Sequence, residues 1–162
     1  MGHKEKLTEL ATRDALEYTE RIINTVHDPL IILYGDLQVA LANRAFYRTF
    51  KVTPKETEEE FIYELGDGQW GIPKLRHLLE EILPENESFD NLEVTHNYPG
   101  IGKRTMSLNA CRFVMEANRT KLIIITFKDV TDRNVIDKLR KKIIKLEKQL
   151  SQSSAKPQQK VN

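Results

Sequence analysis

Leu122-Ile123-Ile124-Ile125-Thr126-Phe127, running on through Lys128 to Asp129-Val130-Thr131, is the stretch that decides the fold. Six consecutive β-favouring residues, apolar at both odd and even positions, read as a strand covered on both faces. At Thr131 the pattern changes. Thr131 is a suitable N-cap, and Asp132 places negative charge at the positive end of a following helix. In that helix Ile136, Leu139, Ile143, Leu146 and Leu150 recur at spacings of three and four, the seam of a coiled coil. A two-faced strand that feeds a dimerising helix is suited to passing a conformational state onward, and nothing at the junction has catalytic character.

Working outward, 162 residues fit one domain with a single core. Lys and Arg number 25 against 24 Asp and Glu, so the chain as a whole has no pull toward nucleic acid or anionic membrane. Basic residues do gather in the last helix at Arg140, Lys141, Lys142, Lys145 and Lys148. They read either as a phosphate-binding patch or, in preference, as the solvated flank of a coiled coil. Cys111 is the single cysteine and forms no internal disulfide. Neither a signal peptide nor a long apolar span is seen, so a cytoplasmic location is expected.

Residues 4–26 read as one amphipathic helix, with Leu7, Ala11, Ala15, Tyr18, Ile22 and Val26 on one face. Asp28-Pro29 ends it. A hairpin of strands at 30–34 and 38–42 turns at Gly35-Asp36, and Asn43 is placed to cap a helix carrying Phe46 and Phe50. Residues 54–60 read as an acidic helical turn and 61–65 as another, with Gly66 and Gly68 breaking the chain before Trp70. Pro73 opens a helix to Leu83, with Pro84 just past its end. Strands follow at 89–96, 103–115 and 121–129, with turns at Pro99-Gly100 and Asn118-Arg119. The fold class is therefore α+β: a five-stranded antiparallel sheet with short helices on one face. Its parts are an N-terminal helix (1–26), a central domain (27–130), a coiled-coil helix (131–150) and a tail (151–162) too polar to order.

Three motifs occur in the order of a known family. Asn43-Arg44-Ala45-Phe46, Arg104-Thr105-Met106-Ser107-Leu108-Asn109-Ala110 and Asp129-Val130-Thr131 resemble the first short helix, the penultimate strand and the closing Asp-Ile-Thr-like triplet of PAS domains. Val130 is the departure from that triplet. Tyr63-Glu64-Leu65-Gly66, Gln69-Trp70 and Ile72-Pro73 look like PAS segments of bacterial and archaeal histidine kinases, and of chemotaxis methylesterase–methyltransferase-like fusions. The resemblance covers about residues 20–133. It implies a PAS fold, with a sensory and dimerising role in two-component signalling. It also implies that Met106, Leu108, Ile123, Ile125 and Phe127 face the small helices.

His77 is the residue at which a PAS haem ligand would be sought. It lies about 200° around the helix from Leu75, away from the stripe of Leu75, Leu78, Leu79 and Ile82, which disfavours haem. A photoreactive flavin cysteine is missing near 61–65, and Cys111 sits in a strand, off the Met106–Leu108–Ala110 face. Non-covalent flavin on Trp70 stays open. His27 next to Asp28 faintly resembles a kinase phosphoacceptor, yet Pro29 stops the helix there. His96 has no metal-ligating companion at usable spacing. Glu56, Glu58, Glu59 and Glu60 form a solvated acidic face. No enzyme motif is legible.

Phe46, Phe50, Trp70, Leu75, Leu78 and Leu79, with Met106, Leu108, Ile123, Ile125 and Phe127 opposite, are either plain core or the lining of an apolar pocket for a small apolar or aromatic ligand. Asp129, Val130 and Thr131 form the expected signal-transfer junction. The expected partners are a second copy through the terminal helices and a downstream kinase or effector, with no nucleic acid. A non-binding dimerisation adaptor and a flavin- or haem-dependent redox sensor are the rival readings. A chain ending in a coiled coil without an effector suits a piece of a larger kinase, or equally a separate PAS protein that pairs with one.

Overall fold

The computed structural model describes residues 14, 17–115 and 120–154. Two compact units divide at Asp129/Val130. The first is built on one five-stranded antiparallel sheet: β1 (Leu30–Tyr34), β2 (Val39–Ala42), β3 (Ser88–Tyr98), β4 (Gly102–Met115) and β5 (Thr120–Asp129), in the spatial order β2-β1-β5-β4-β3. The strand picked out first from its sequence is thus the central one. Ile124 is paired with Ile32 of β1 and Cys111 of β4, and Ile125 with Ile31 and Ala110.

The two faces of the sheet are covered differently. On the inner face Ile31, Leu33, Ile123, Ile125, Phe127, Met106, Leu108 and Val94 are buried beneath the short helices. On the outer face Ile23, Leu30 and Ile32 form a second, smaller cluster, with Leu122 and Ile124 packed partly against it. Ile23 comes from helix α1 (residues 17–23). This helix ends three residues before the expected Val26, because its last backbone bonds tighten to Thr25 N–H on Ile22 and Val26 N–H on Ile23. Its buried residue is Ile23, whereas Tyr18, Ile22 and Val26, expected to share the apolar face, are exposed. Leu7, Ala11 and Ala15 of that expected face lie outside the described residues.

Between β2 and β3 the chain forms α2 (Arg44–Phe50), a 3₁₀ turn at Pro54–Glu56, α3 (Leu65–Gly68), α4 (Pro73–His77), a π-helical turn Leu78–Ile82 and α5 (Leu83–Glu85). Three expectations need correcting here. Residues 61–65 are not a helix: Phe61 bridges Gln38 instead, and the helical turn begins at Leu65. Gly66 and Gly68 lie inside that turn at positive φ (57° and 81°), a geometry glycine adopts without a Cβ clash. Pro84 does not end the run from Pro73; it lies in the first turn of α5, where its missing N–H costs little. The π turn adds one residue to a cycle and keeps Leu75, Leu78, Leu79 and Leu83 all buried. The expected turn at Asn118-Arg119 lies outside the described residues.

Asn43, wholly buried, joins these parts. Its Oδ1 accepts from Phe46 N–H (2.9 Å), capping α2, and from Leu30 N–H (3.0 Å) at the start of β1. The two N–H groups of its Nδ2 are shared among the carbonyls of Ile23 (3.2 Å), Val26 (3.1 Å) and Asp28 (3.0 Å), one of them bifurcated. The amide therefore ties the end of α1 and the segment after it to the sheet and to α2. Arg44 N–H adds a bond to Asn24 Oδ1 at 2.7 Å.

The second unit holds α6, Thr131–Ser154. Val130 carbonyl accepts from Asn134 N–H at 2.9 Å, so the helix begins one residue earlier than a Thr131 cap implies. It also runs four residues past Leu150, into the expected polar tail. There Ser151 and Ser154 hydroxyls bond back to the carbonyls of Glu147 and Leu150. Residues 155–162 lie outside the described residues.

Asn43→Ala removes acceptor and donor together and strands Leu30 and Phe46 N–H in the interior. It is expected to cost about 2–4 kcal/mol of stability in urea unfolding. Asn43→Asp keeps the cap but turns a carboxylate onto three carbonyl oxygens, and at neutral pH should be the less stable of the two. An Asp variant as stable as wild type would contradict the three carbonyl bonds.

Candidate functional site

The eleven pocket candidates converge. Phe46 and Phe50 from α2, Trp70 from the loop before α4, Leu75 from α4, Leu78 and Leu79 from the π turn, Met106 and Leu108 from β4, and Ile123, Ile125 and Phe127 from β5 are all buried in one cluster. Trp70 is at its centre. Its ring centroid is 4.7 Å from Phe50, 5.2 Å from Phe127 and 5.8 Å from Phe46, within the range of favourable aromatic contact.

Sequence reasoning missed the fifth ring. Tyr98, the last residue of β3, lies 5.4 Å from Trp70 and 5.5 Å from Phe50 and is 1% exposed. Inward alternation from Val94 through His96 was the signal available, but a tyrosine beside a Pro-Gly turn looks like a surface residue. Its hydroxyl is buried without a hydrogen-bond partner among the described residues, as is Gln69 Oε1. Burial, and then the negative charge of Asp129, push the Tyr98 hydroxyl up to about 12. An orphan hydroxyl inside an aromatic cluster is costly unless something bonds to it.

Beside the cluster, a surface cleft of about 810 Å³ is lined by Phe50, Lys51, Glu56, Glu60, Glu64, Gln69 and His96, among others. Phe50 and Gln69 thus border both the cleft and the interior. Three carboxylates to one ammonium give the cleft a negative balance. Glu56 is more than part of an acidic face: its carboxylate accepts from Thr53 Oγ1 (2.6 Å) and Thr53 N–H (2.9 Å), a capping box. These bonds, the hydroxyl's first, hold it below the usual carboxylate range. The Thr-Pro-Lys-Glu spacing signalled this in the sequence. Glu58 likewise has a partner, accepting from the Tyr47 hydroxyl at 2.9 Å.

The histidines are placed as follows. His77 is exposed and pairs with Glu81 at 2.9 Å. His96 meets Tyr98 edge to face at 5.1 Å. Among the described residues no group of three or more His, Cys, Asp or Glu is placed to hold a metal ion. Cys111 is exposed and pairs with Ile124, on the face opposite the candidate pocket.

The junction residues follow one another at the end of β5. Asp129 closes the strand and lies 3.7 Å from Arg104, a half-exposed pair of small energetic weight. After burial, the negative charge of Asp129 is the second cause that raises the Tyr98 hydroxyl. Val130 and Thr131 begin the second unit. On α6 the seam residues Ile136, Leu139, Ile143, Leu146 and Leu150 are 49–69% exposed.

Sheet order, helix placement and a family match agree. Residues 23–135 match the family model described as the PAS fold. The chain belongs to the PAS fold family. Solved PAS domains superpose on it with little sequence in common. That of Bordetella pertussis BvgS has 23% identity and a TM-score of 0.59, covering 84% of this chain and 98% of that one. That of an HTR-like protein from Haloarcula marismortui has 15% identity and a TM-score of 0.53, covering 76% and 98%. That of nitrogen regulation protein NR(II) from Vibrio parahaemolyticus has 17% identity and a TM-score of 0.52, covering 68% and 96%. The curated proteins contain no match. Among the described residues no helix of this PAS protein is long and apolar enough to cross a membrane.

A raised tyrosine value has a definite consequence for stability. The hydroxyl holds its proton more tightly folded than unfolded, so its contribution is intact below about pH 10 and lost as pH rises toward 12. Melting temperature is expected to fall across that window, less steeply in Tyr98→Phe. In ligand-free protein at pH 7, removing the orphan hydroxyl should be neutral or stabilising by up to about 1 kcal/mol. A loss of more than that would show that the hydroxyl is bonded.

Proposed function

We propose that this PAS domain is a sensory and dimerisation module of a two-component-type signalling protein, with no catalytic step of its own. In this reading a small apolar or aromatic ligand enters from the cleft side past Phe50 and Gln69, and the Tyr98 hydroxyl is its polar anchor. One observation carries the reading. The buried Tyr98 hydroxyl, without a hydrogen-bond partner among the described residues, is raised in part by the charge of Asp129, the last residue of the central strand before the helix unit. A ligand that bonds Tyr98 changes the surroundings of Asp129. It thereby favours one of two states of the junction Asp129-Val130-Thr131, and the helix passes that state to a kinase or effector. The module works in the cytoplasm, where the exposed thiol of Cys111 stays reduced. Flavin and haem are disfavoured. Trp70 already has aromatic neighbours on several sides, and His77 is turned to solvent and paired with Glu81.

The adaptor reading draws on the same ring packing, since a filled aromatic interior needs no ligand. Native mass spectrometry of protein purified without additives separates the two. The sensor reading expects a dimer with a discrete non-covalent adduct that Tyr98→Phe weakens or loses. A bare dimer whose mass, stability and exchange do not respond to that substitution supports the adaptor.

Dimerisation has its own test. Replacing Leu139 and Ile143 by Asp puts four charges into a seam formed by two copies. It is expected to raise the dissociation constant by at least about 100-fold in sedimentation, while the melting of the sheet is unchanged. An unaltered sedimentation mass would exclude the seam.

A further inference from the structure

The geometry points to a second ligand site, at the end of the sheet away from Tyr98. There Arg112 and Lys121 hold the carboxylate of a small organic acid, and Leu79, Leu83 and Ile123 meet its apolar body. The inward positions of β4 run Met106, Leu108, Ala110 and then Arg112; those of β5 run Phe127, Ile125, Ile123 and then Lys121. Both rows thus end in a cation. Arg112 is opposite Ile123 and Val114 opposite Lys121, so the two cations are diagonal neighbours on one face, their Cβ atoms roughly 7 Å apart. Tyr98 is paired with Gly102 at the start of β4, and Arg112 lies roughly 30 Å further along that strand.

Arg112 and Lys121 border a recess of about 280 Å³ whose apolar lining is Leu37, Leu79, Leu83, Pro84 and Ile123. That volume lies just below the range of roughly 300–1,000 Å³ usual for small-molecule sites. Arg112 is half-buried, and its backbone is fixed by its N–H on the Glu87 carbonyl at 2.8 Å. The β1–β2 turn packs on the stem of Lys121: a Cβ at Gly35 would come within 2.9 Å of Lys121 Cβ. Neither cation is in an ion pair among the described residues. The single acid in the lining, Glu80, is already paired with Arg76 at 3.1 Å. The surplus is therefore positive, and a planar guanidinium fork beside an ammonium suits a carboxylate. Glu80 on the rim opposes a doubly charged phosphate, and the leucines reward an apolar body. Stems that only shield the edge of a core need no recess beneath their heads, and here there is one. This site depends neither on the Tyr98 hydroxyl nor on a second copy.

The test is a titration of the full chain followed by amide and methyl NMR shifts, with phenylacetate, benzoate and hexanoate as probes. At least one should saturate at millimolar concentration or below, with the largest shifts at Leu79, Leu83, Arg112, Lys121 and Ile123. Phenylacetamide, which keeps the ring but not the charge, and acetate, which keeps the charge but not the body, should each bind at least about tenfold more weakly. Arg112→Gln should raise the dissociation constant about tenfold or more, and Lys121→Gln about threefold. Arg112→Lys should fall between wild type and Arg112→Gln, since it keeps the charge and loses the fork. Tyr98→Phe should leave the affinity unchanged, which separates this site from the ligand reading above. The proposal is overturned if none of the three acids saturates, or if the amide binds as well as the acid. It is equally overturned if the shifts centre on Phe50 and Tyr98, or if Arg112→Gln, folded by its amide spectrum, binds like wild type.

Discussion

A strand that is apolar on both faces has to be covered twice, and the rest of this molecule follows from that constraint on β5. Its inner residues, Ile123, Ile125 and Phe127, are met by the short helices and their aromatic side chains. Its outer residues, Leu122 and Ile124, are met partly by the smaller cluster of Ile23, Leu30 and Ile32. The second cover includes a residue from a helix that precedes the sheet and is not hydrogen-bonded into it. Asn43 holds it there, with acceptor bonds directed at β1 and α2 and donor bonds at the carbonyls behind α1. The five groups it meets are all backbone. The amide therefore tolerates side-chain variation around it, but not its own replacement.

The same strand links the interior to the exit of the domain. Phe127 contacts Trp70 and Phe50 in the aromatic cluster, and two residues later Asp129 acts on Tyr98 and pairs with Arg104. A change in the cluster has only a short path to the end of the strand. Extended backbone paired on both sides is stiff, and so is suited to carry that change. Low-energy surface ion pairs such as Arg104–Asp129 can be exchanged at small cost.

Much of this was legible in the amino-acid sequence, for identifiable reasons. β5 was readable because six apolar or β-branched residues in succession leave little else to form. The inward faces of β4 and β5 followed from alternation, and the helical course of α6 from unbroken three-four spacing. Asn43 was readable as a cap but not as a clasp, since its three carbonyl partners come from a segment 15 to 20 residues away. The buried side of α1 was misjudged because Ile22 and Ile23 are adjacent, and periodicity alone does not choose between them. The π turn left no signature, as inserting one residue keeps the leucines on one side and only shifts the phase. Pro84 looked like a terminator because a first-turn proline and a closing one are alike until the helix bond pattern is known. Tyr98 was missed because the adjoining Pro-Gly turn outweighed the alternation from Val94 that points it inward.

If α6 pairs with a second copy as proposed, its protection depends on that pairing, while the sheet stands alone. Hydrogen–deuterium exchange of the full chain, followed on dilution through the dimer dissociation range, tests this most directly. Amides of residues 136–150 should be protected in the dimer and lose that protection on dilution, while those of Ile123–Phe127 stay protected throughout. Protection of the helix that does not depend on concentration, or its absence in a confirmed dimer, would contradict the account.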